Sequence, residues 1–510
     1  MTTPARNQPC PCGSGKKFKY CCANRPAIHV TPSAPVSAVN GNSLTPFQMI
    51  QLAIQHHQAG HLRKAEAIYQ QVLKIQPQHP DALHLLGLAN HQMGTHDQAH
   101  TLISKAISIN PKAASFHNNL GEVYRALNRL DEAYASYKKA LSLQPDFPEA
   151  ERNIGLTFLA KMQPDQAVSH LRSAVKRYPD YLGIYWALGQ AFMSQKKADE
   201  AIAVYNQGLA KNSLDPTLLC SKGVALQAAR KLDDAIQHYH QAISLQPTVH
   251  EFHLNLALIY QEQGNAPDAI VCLKRVIELK PNAEIAKHML AALQNITPDR
   301  APASYVRKIF DDYADGFDKH LVEKLEYHTP TLIAEIVRHR LGAEHHALDI
   351  LDLGCGTGLF GEQIKDIKKQ LVGIDLAPKM INKARERGIY DQLIVGDLLV
   401  YLASTKADQF DLIAATDVFN YVGNLLPVFE QVSRIMTSDG WFTFSIEAAP
   451  DSASDFVLDK TGRYQHHKNY LERLGTQFGF VPTHFSEAIL RQEYGKPVSG
   501  YIYLFQKASH

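Results

Sequence analysis

Three aspartates and three glycines in the C-terminal third of the chain are spaced for ligand chemistry. Asp352 opens the run Asp352-Leu353-Gly354-Cys355-Gly356-Thr357-Gly358, and Asp375 and Asp397 close two later apolar runs. Residues 347–353 are apolar and β-branched and read as a buried parallel strand, after which the glycines turn the chain into a helix near Leu359. A second strand over 371–374 ends in Asp375 and a third over 393–396 ends in Asp397. Three carboxylates thus fall at the carboxyl ends of successive strands, where open α/β sheets bind ligands.

A carboxylate set with a close backbone approach suits a ligand that offers hydroxyls, an amine and positive charge. S-adenosylmethionine has these: a ribose diol, an adenine amine, and a sulfonium beside an ammonium. Asp375 is expected to accept the ribose hydroxyls, with Leu376 beside it. Asp397 takes the adenine amine with the amide of Leu398 facing the ring, and Asp352 holds the amino-acid end. Gly354, Gly356 and Gly358 let the backbone approach. A dinucleotide also uses a glycine turn followed by an acid, but its pattern is GxGxxG, whereas this chain has GxGxG. An acid two residues before the first glycine would also repel phosphates.

These residues resemble a class I S-adenosylmethionine-dependent methyltransferase over about 300–507. The resemblance implies an α/β Rossmann-like sheet of seven strands, the last antiparallel and inserted beside the fifth. A fourth strand over 410–416 ends at Asp417, a further cofactor-side residue, and 441–446, 485–491 and 500–505 are the candidates for strands five to seven. The acceptor site should lie above the fourth strand, where Asp417, Asn420 and Tyr421 follow Thr416. Relatives that methylate exocyclic amines carry Asn/Asp-Pro-Pro-Tyr there. The run Asp417-Val418-Phe419-Asn420 lacks both prolines, so that chemistry is disfavoured, and no cysteine stands at this strand end for attack on a cytosine ring.

Two segments flank the expected pocket. Residues 304–326 form an aromatic lead-in whose Tyr305, Phe310, Tyr313 and Phe317 could lid the cofactor or simply pack. The polar run 463–470 offers Tyr464 and His466 as proton acceptors alongside Asp417, although a helix start explains the same residues.

A chain of 510 residues must divide into several cores. Its net charge of +2 gives no bulk attraction to nucleic acid or membrane, and no apolar run is long enough for a bilayer. Of the seven cysteines, four cluster at the N-terminus in metal-like spacing and Cys220, Cys272 and Cys355 lie scattered, which predicts a reducing, cytoplasmic setting. Prolines 77, 111, 145, 179, 247 and 281 stand on one 34-residue grid, and alanines 65, 99, 133, 167, 201, 235 and 269 fill a second. Glycines 87, 121, 155, 189 and 223 follow a third. The period resembles tetratricopeptide repeats, seven of them between about 46 and 283 with a capping helix near 283–294. Such arrays bind other chains, so a protein or peptide partner in the groove is expected. Asn119, Asn153 and Asn255 share one repeat position, where related arrays clamp a peptide backbone; a solvated groove is the alternative.

Residues 9–22 read PCPCGSGKKFKYCC. Cys10, Cys12, Cys21 and Cys22 suit tetrahedral zinc that supplies the folding energy of so small a segment. The spacing resembles the SEC-C zinc motif, which implies protein contact. Lys16, Lys17 and Lys19 make the tail basic, so ribosome or RNA contact is open, as is a merely solvated arm.

The expected organisation is a zinc knuckle over 1–25, a flexible linker over 26–45, an all-α tetratricopeptide solenoid over 46–295, a helical lead-in over 296–340 and a class I methyltransferase domain over 341–510. The domain pairing also resembles a family of bacterial repeat-containing methyltransferases. The expected function is methyl transfer recruited to a protein partner or protein substrate through the repeats. Two alternatives stand beside it: a small-molecule O- or C-methyltransferase that uses the repeats for assembly, and a cofactor-binding adaptor without turnover.

Overall fold

The computed structural model describes residues 44–314, 317–318, 327–342, 347–451, 454–493 and 496–508. The knuckle cysteines Cys10, Cys12, Cys21 and Cys22 lie outside these residues, as does the basic tail. The chain forms two compact units, residues up to Lys161 and residues from Met162 onward.

Fifteen helices run from α1 (Pro46–Gln58) to α15 (Glu284–Leu293), the first seven in the first unit and the rest in the second. Their sequence grids have direct packing causes. A Cβ on Gly121 would lie 2.5 Å from the ring of Tyr137, and one on Gly223 would lie 2.7 Å from Tyr239. Both tyrosines are fully buried. Gly121, Gly189 and Gly223 therefore make room for a tyrosine ring of the second helix in the same repeat, and Gly87 for Ile103. Alanines 65, 99, 133, 167, 201, 235 and 269 are all fully buried, where a larger side chain would force the helices apart.

The second unit continues into helix α16 (Ala303–Tyr313) and an α/β layer structure. Strands β1 (Leu348–Leu353), β2 (Lys368–Asp375), β3 (Gln392–Val395) and β4 (Phe410–Ala415) are parallel in the order β3-β2-β1-β4. Strand β5 (Met436–Ala448) lies parallel to β4 and antiparallel to β9 (Lys496–Lys507), which in turn pairs antiparallel with β8 (Phe480–Glu493). The last strand is thus inserted beside the fifth, as the resemblance implied. The sheet has nine strands among the described residues, not seven. The extra two, β6 (Phe456–Leu458) and β7 (Tyr464–His466), form a short hairpin on the end of β5.

Successive residues of β1 feed opposite cores: Leu351 and Leu353 pack with the Phe429, Phe442 and Phe444 cluster, while Ile350 packs with Ile333, Leu371 and Ile502. A parallel sheet covered on both faces explains why its strands read as continuous apolar runs.

Candidate active site

The glycine turn between β1 and the helix Leu359–Ile364 adopts left-handed backbone at all three glycines, with φ of 64°, 53° and 89° at Gly354, Gly356 and Gly358. L side chains resist this region. A Cβ on Gly356 would meet nothing within 4 Å, so its backbone is open to an incoming group.

Asp375 stands against this turn. One carboxylate oxygen accepts the Gly356 N–H at 3.0 Å and the other accepts the Ala377 N–H at 2.8 Å. A carboxylate has about four acceptor positions, so each oxygen keeps capacity for a hydroxyl. Burial raises the Asp375 carboxyl to about 6 against the pull of these amides. Asp352 is 1% exposed and accepts from the Tyr390 hydroxyl at 2.6 Å, and burial pushes it up to about 7. Asp397 caps the helix Leu398–Ser404 through the amides of Leu399 and Val400, and its second oxygen pairs with Arg300 at 3.0 Å.

All three acids border one cavity of about 1200 Å3 together with Gly354, Gly356, Leu376 and Leu398. Gly358 does not line it and instead packs beside Tyr390. Helix α16 covers this end. Phe310 and Phe317 line the cavity with ring centroids 6.1 Å apart, and Arg307 donates to the Leu376 carbonyl at 3.2 Å. Tyr305 also lines the cavity and packs its ring at a tilt against His288 of α15, with centroids 4.6 Å apart. The side chain of Tyr313 lies outside the described residues.

The lining also includes Tyr327, Asp417, Asn420, Tyr421, Arg463, Arg491 and Glu493. Asp417 has φ of 55°, which an aspartate tolerates, and its carboxylate is held by the Ser445 hydroxyl at 2.7 Å and by Arg491 at 3.2 Å. Arg491, 7% exposed, spends its three nitrogens on Asp417, Glu447 and Glu493. Arg463 reaches Glu493 through Nη2, while its Nε lies 2.8 Å from Glu447 but out of line for a hydrogen bond. The neighbouring carboxylates hold both arginines charged despite their burial. Asn420 is 2% exposed and its Oδ1 has no hydrogen-bond partner among the described residues.

Two expected proton acceptors sit elsewhere. Tyr464 and His466 are fully buried and do not line the cavity. His466 Nε2 donates to the carbonyls of Val422 and Gly423 at 2.9 and 3.0 Å, and burial lowers its pKa to about 4. The reason is the pleat: on β7, residues 464 and 466 share one face, which points into the core. The helix-start alternative fits the next residue, since His467 caps the helix Lys468–Gln477.

The asparagine column is also spent internally. Asn119 donates to His84 at 2.8 Å, Asn153 to Asn118 at 3.1 Å and Asn255 to the Cys220 sulfur at 3.3 Å. Each bond runs to the first helix of the preceding repeat, and burial keeps His84 neutral, and so an acceptor, by lowering it to about 4. These amides tie repeats together.

The family model described as a methyltransferase domain matches residues 351–444. This chain carries a methyltransferase domain. Tetratricopeptide repeat models match residues 56–118, 152–216 and 226–293, a TPR repeat model matches 121–161, and the SEC-C motif model matches 6–24. The methyltransferase region is similar to the malonyl-(acyl-carrier protein) O-methyltransferase of Legionella pneumophila, 25% identical over 37% of this chain and 66% of that protein. It is also similar to the ubiquinone biosynthesis O-methyltransferase of Glaesserella parasuis, 28% identical over 18% of this chain and 42% of that protein. This chain thus spans less than two thirds of either relative's length. The repeat half is similar to a tetratricopeptide repeat protein from Parabacteroides merdae, at 17% identity and a TM-score of 0.41 over 49% of this chain and 99% of that one. No helix among the described residues is long and apolar enough to cross a membrane.

Sequence reasoning missed Tyr327, Tyr390, Glu447, Arg491 and Glu493.

Proposed function

We propose that the methyltransferase domain moves a methyl group from S-adenosylmethionine to an oxygen of a small-molecule acceptor, and that this oxygen belongs to a carboxylate. The observation that carries the reading is the composition of the cavity. Its lining gathers Asp352, Asp375 and Asp397 around a glycine turn, and also Arg463, Arg491 and Asn420 beside Asp417 and Glu493, with no histidine among the described lining residues.

The donor set fits the cofactor. Asp375 would hold the ribose hydroxyls, Leu376, Asp397 and Leu398 would flank the adenine, and Asp352 would hold the ammonium. Gly354 and Gly356 would give backbone access, and Asp417 would close the far edge of the site. When bound, S-adenosylmethionine supplies an electrophilic methyl carbon whose sulfur departs as a neutral thioether.

An oxygen that is already anionic needs no base. Asp417 and Glu493 are both committed to arginines. Arg463 would orient the acceptor carboxylate through Nη1, which has no partner among the described residues, while Nε faces Glu447 and Nη2 holds Glu493. Asn420 and Tyr421 would complete the contact. Holding two groups in line supplies much of the rate gain in such displacements. The relatives' names, both O-methyltransferases, agree with an oxygen acceptor. They favour a small or carrier-bound acceptor over a protein side chain. The repeats would then bring the domain to a protein or peptide partner.

Full-length protein incubated with methyl-labelled S-adenosylmethionine and a small-metabolite extract tests this directly. The label should enter small molecules and be released as methanol by alkali, as methyl esters require. Label that resists alkali, or that stays on protein, overturns the carboxylate reading.

A further inference from the structure

The cavity does not end at the methyltransferase domain. Its outer wall is made by the repeats: Leu258 and Gln261 of α13 (His250–Glu262), Gln227 of α11 (Pro216–Ala228), and Leu293 of α15. Helices α11 and α13 are the first helices of the last two repeats. They are fixed to the domain, since Gln261 donates to the Lys460 carbonyl at 2.9 Å and buried His288 bonds the Gly462 carbonyl at 3.0 Å.

The polar groups of this wall satisfy one another. Gln227 donates to Glu262 at 3.0 Å and accepts from the Tyr239 hydroxyl at 3.3 Å, Arg230 pairs with Glu262, and Gln261 is used by Lys460. Beside these paired groups, Leu258 and Leu293 give the wall an apolar strip. Leu258 lines the cavity and is 41% exposed, and Val224, one repeat earlier at the same helix position but outside the cavity lining, is 38% exposed. An open leucine at the cavity wall, continued by an open valine on the neighbouring first helix, marks a contact for apolar ligand surface.

We propose that α11 and α13 form the second half of the acceptor site and take an apolar stem of the acceptor, a hydrocarbon chain that lies over Leu258 and Val224 while its carboxylate end faces Arg463. This rests on the carboxylate reading above and adds to it the class of molecule: an acid with a hydrocarbon stem several carbons long. The repeats would then select the acceptor as well as recruit partners.

The N-methyl, N-butyl and N-octyl monoamides of succinic acid serve as probes, titrated calorimetrically into full-length protein saturated with S-adenosylhomocysteine. The octyl probe should bind at least tenfold tighter than the methyl probe. Leu258→Asp and Val224→Asp should each remove most of that gain, and Leu258→Met should keep it. Cofactor-product affinity and thermal unfolding of each variant report that the fold is intact. Equal affinity along the series, no binding of any probe, or a gain that survives both aspartate variants would overturn the stem site. The two proposals fail separately. A chain-length gain without methyl ester formation rejects only the carboxylate acceptor, whereas ester formation without the gain rejects only the stem site.

Discussion

Asp375 accepts the backbone N–H of Gly356 at 3.0 Å, so the acid that ends β2 is fastened to the glycine turn that follows β1. The carboxylate is pre-set before any ligand arrives. Asp375→Ala should weaken S-adenosylmethionine binding by about 2 kcal/mol, the value of a charge-assisted hydrogen bond. Calorimetry on the full chain checks this, and unchanged affinity would remove Asp375 from the site.

Acid should weaken cofactor binding. Burial raises Asp352 to about 7 and Asp375 to about 6, while both titrate near about 4 in an unfolded chain. The folded, ligand-free protein therefore holds more protons across that window, and this contribution to its stability falls as pH rises from about 4 to 7. A cationic ligand needs both groups ionised. Affinity should drop by roughly tenfold per pH unit for each carboxylate below its pKa, with proton release on binding near neutrality. A flat affinity between about pH 7.5 and 5.5, measured with matched ionic strength, contradicts this.

How much of this site was readable in advance depended on distance along the chain. The glycine turn, Asp375 and Asp397 each stand at the end of their own apolar run, so local pattern located them. The arginine end comes from β5, the β6–β7 hairpin and β8, and only closure of the sheet gathers Glu447, Arg463, Arg491 and Glu493. The polar segment at 463–470 was noticed, but without knowledge of the pleat Tyr464 and His466 stood out rather than Arg463. The repeat grids were legible because a fixed period repeats the same contact. The junction of the last repeats with the cavity was not, since it depends on single side chains such as Gln261.

Removing Glu447 should be costly. It is 3% exposed and faces both Arg463 and Arg491, so Glu447→Gln leaves buried guanidinium charge short of a partner. A loss of about 3 kcal/mol or more is expected for the sheet-containing unit. Trp441 on β5 can report it during urea unfolding in a Trp186→Phe background. A midpoint that does not move would mean the cluster contributes nothing net.

Gly223→Ala tests the repeat packing. The new methyl would sit 2.7 Å from the Tyr239 ring, which is fully buried. Overpacking should cost about 1–3 kcal/mol and lower the first thermal transition. The double variant with Tyr239→Leu should recover part of the loss, and no recovery would assign the cost to something other than this contact.

The N-terminal cysteines predict metal. Full-length protein purified without chelator should contain about one zinc per chain, lost in Cys12→Ser. Metal-free wild-type protein would leave the motif without its expected ion.

The bond from Gln261 to Lys460 also bears on how this protein can be cut. Trimming away everything before residue 296 would strip one side from the reaction vessel and uncover Leu458, Tyr464 and Val306, which pack with Ala292. A catalytic fragment should therefore begin upstream of α11, or it will be judged inactive for want of a wall rather than for want of chemistry.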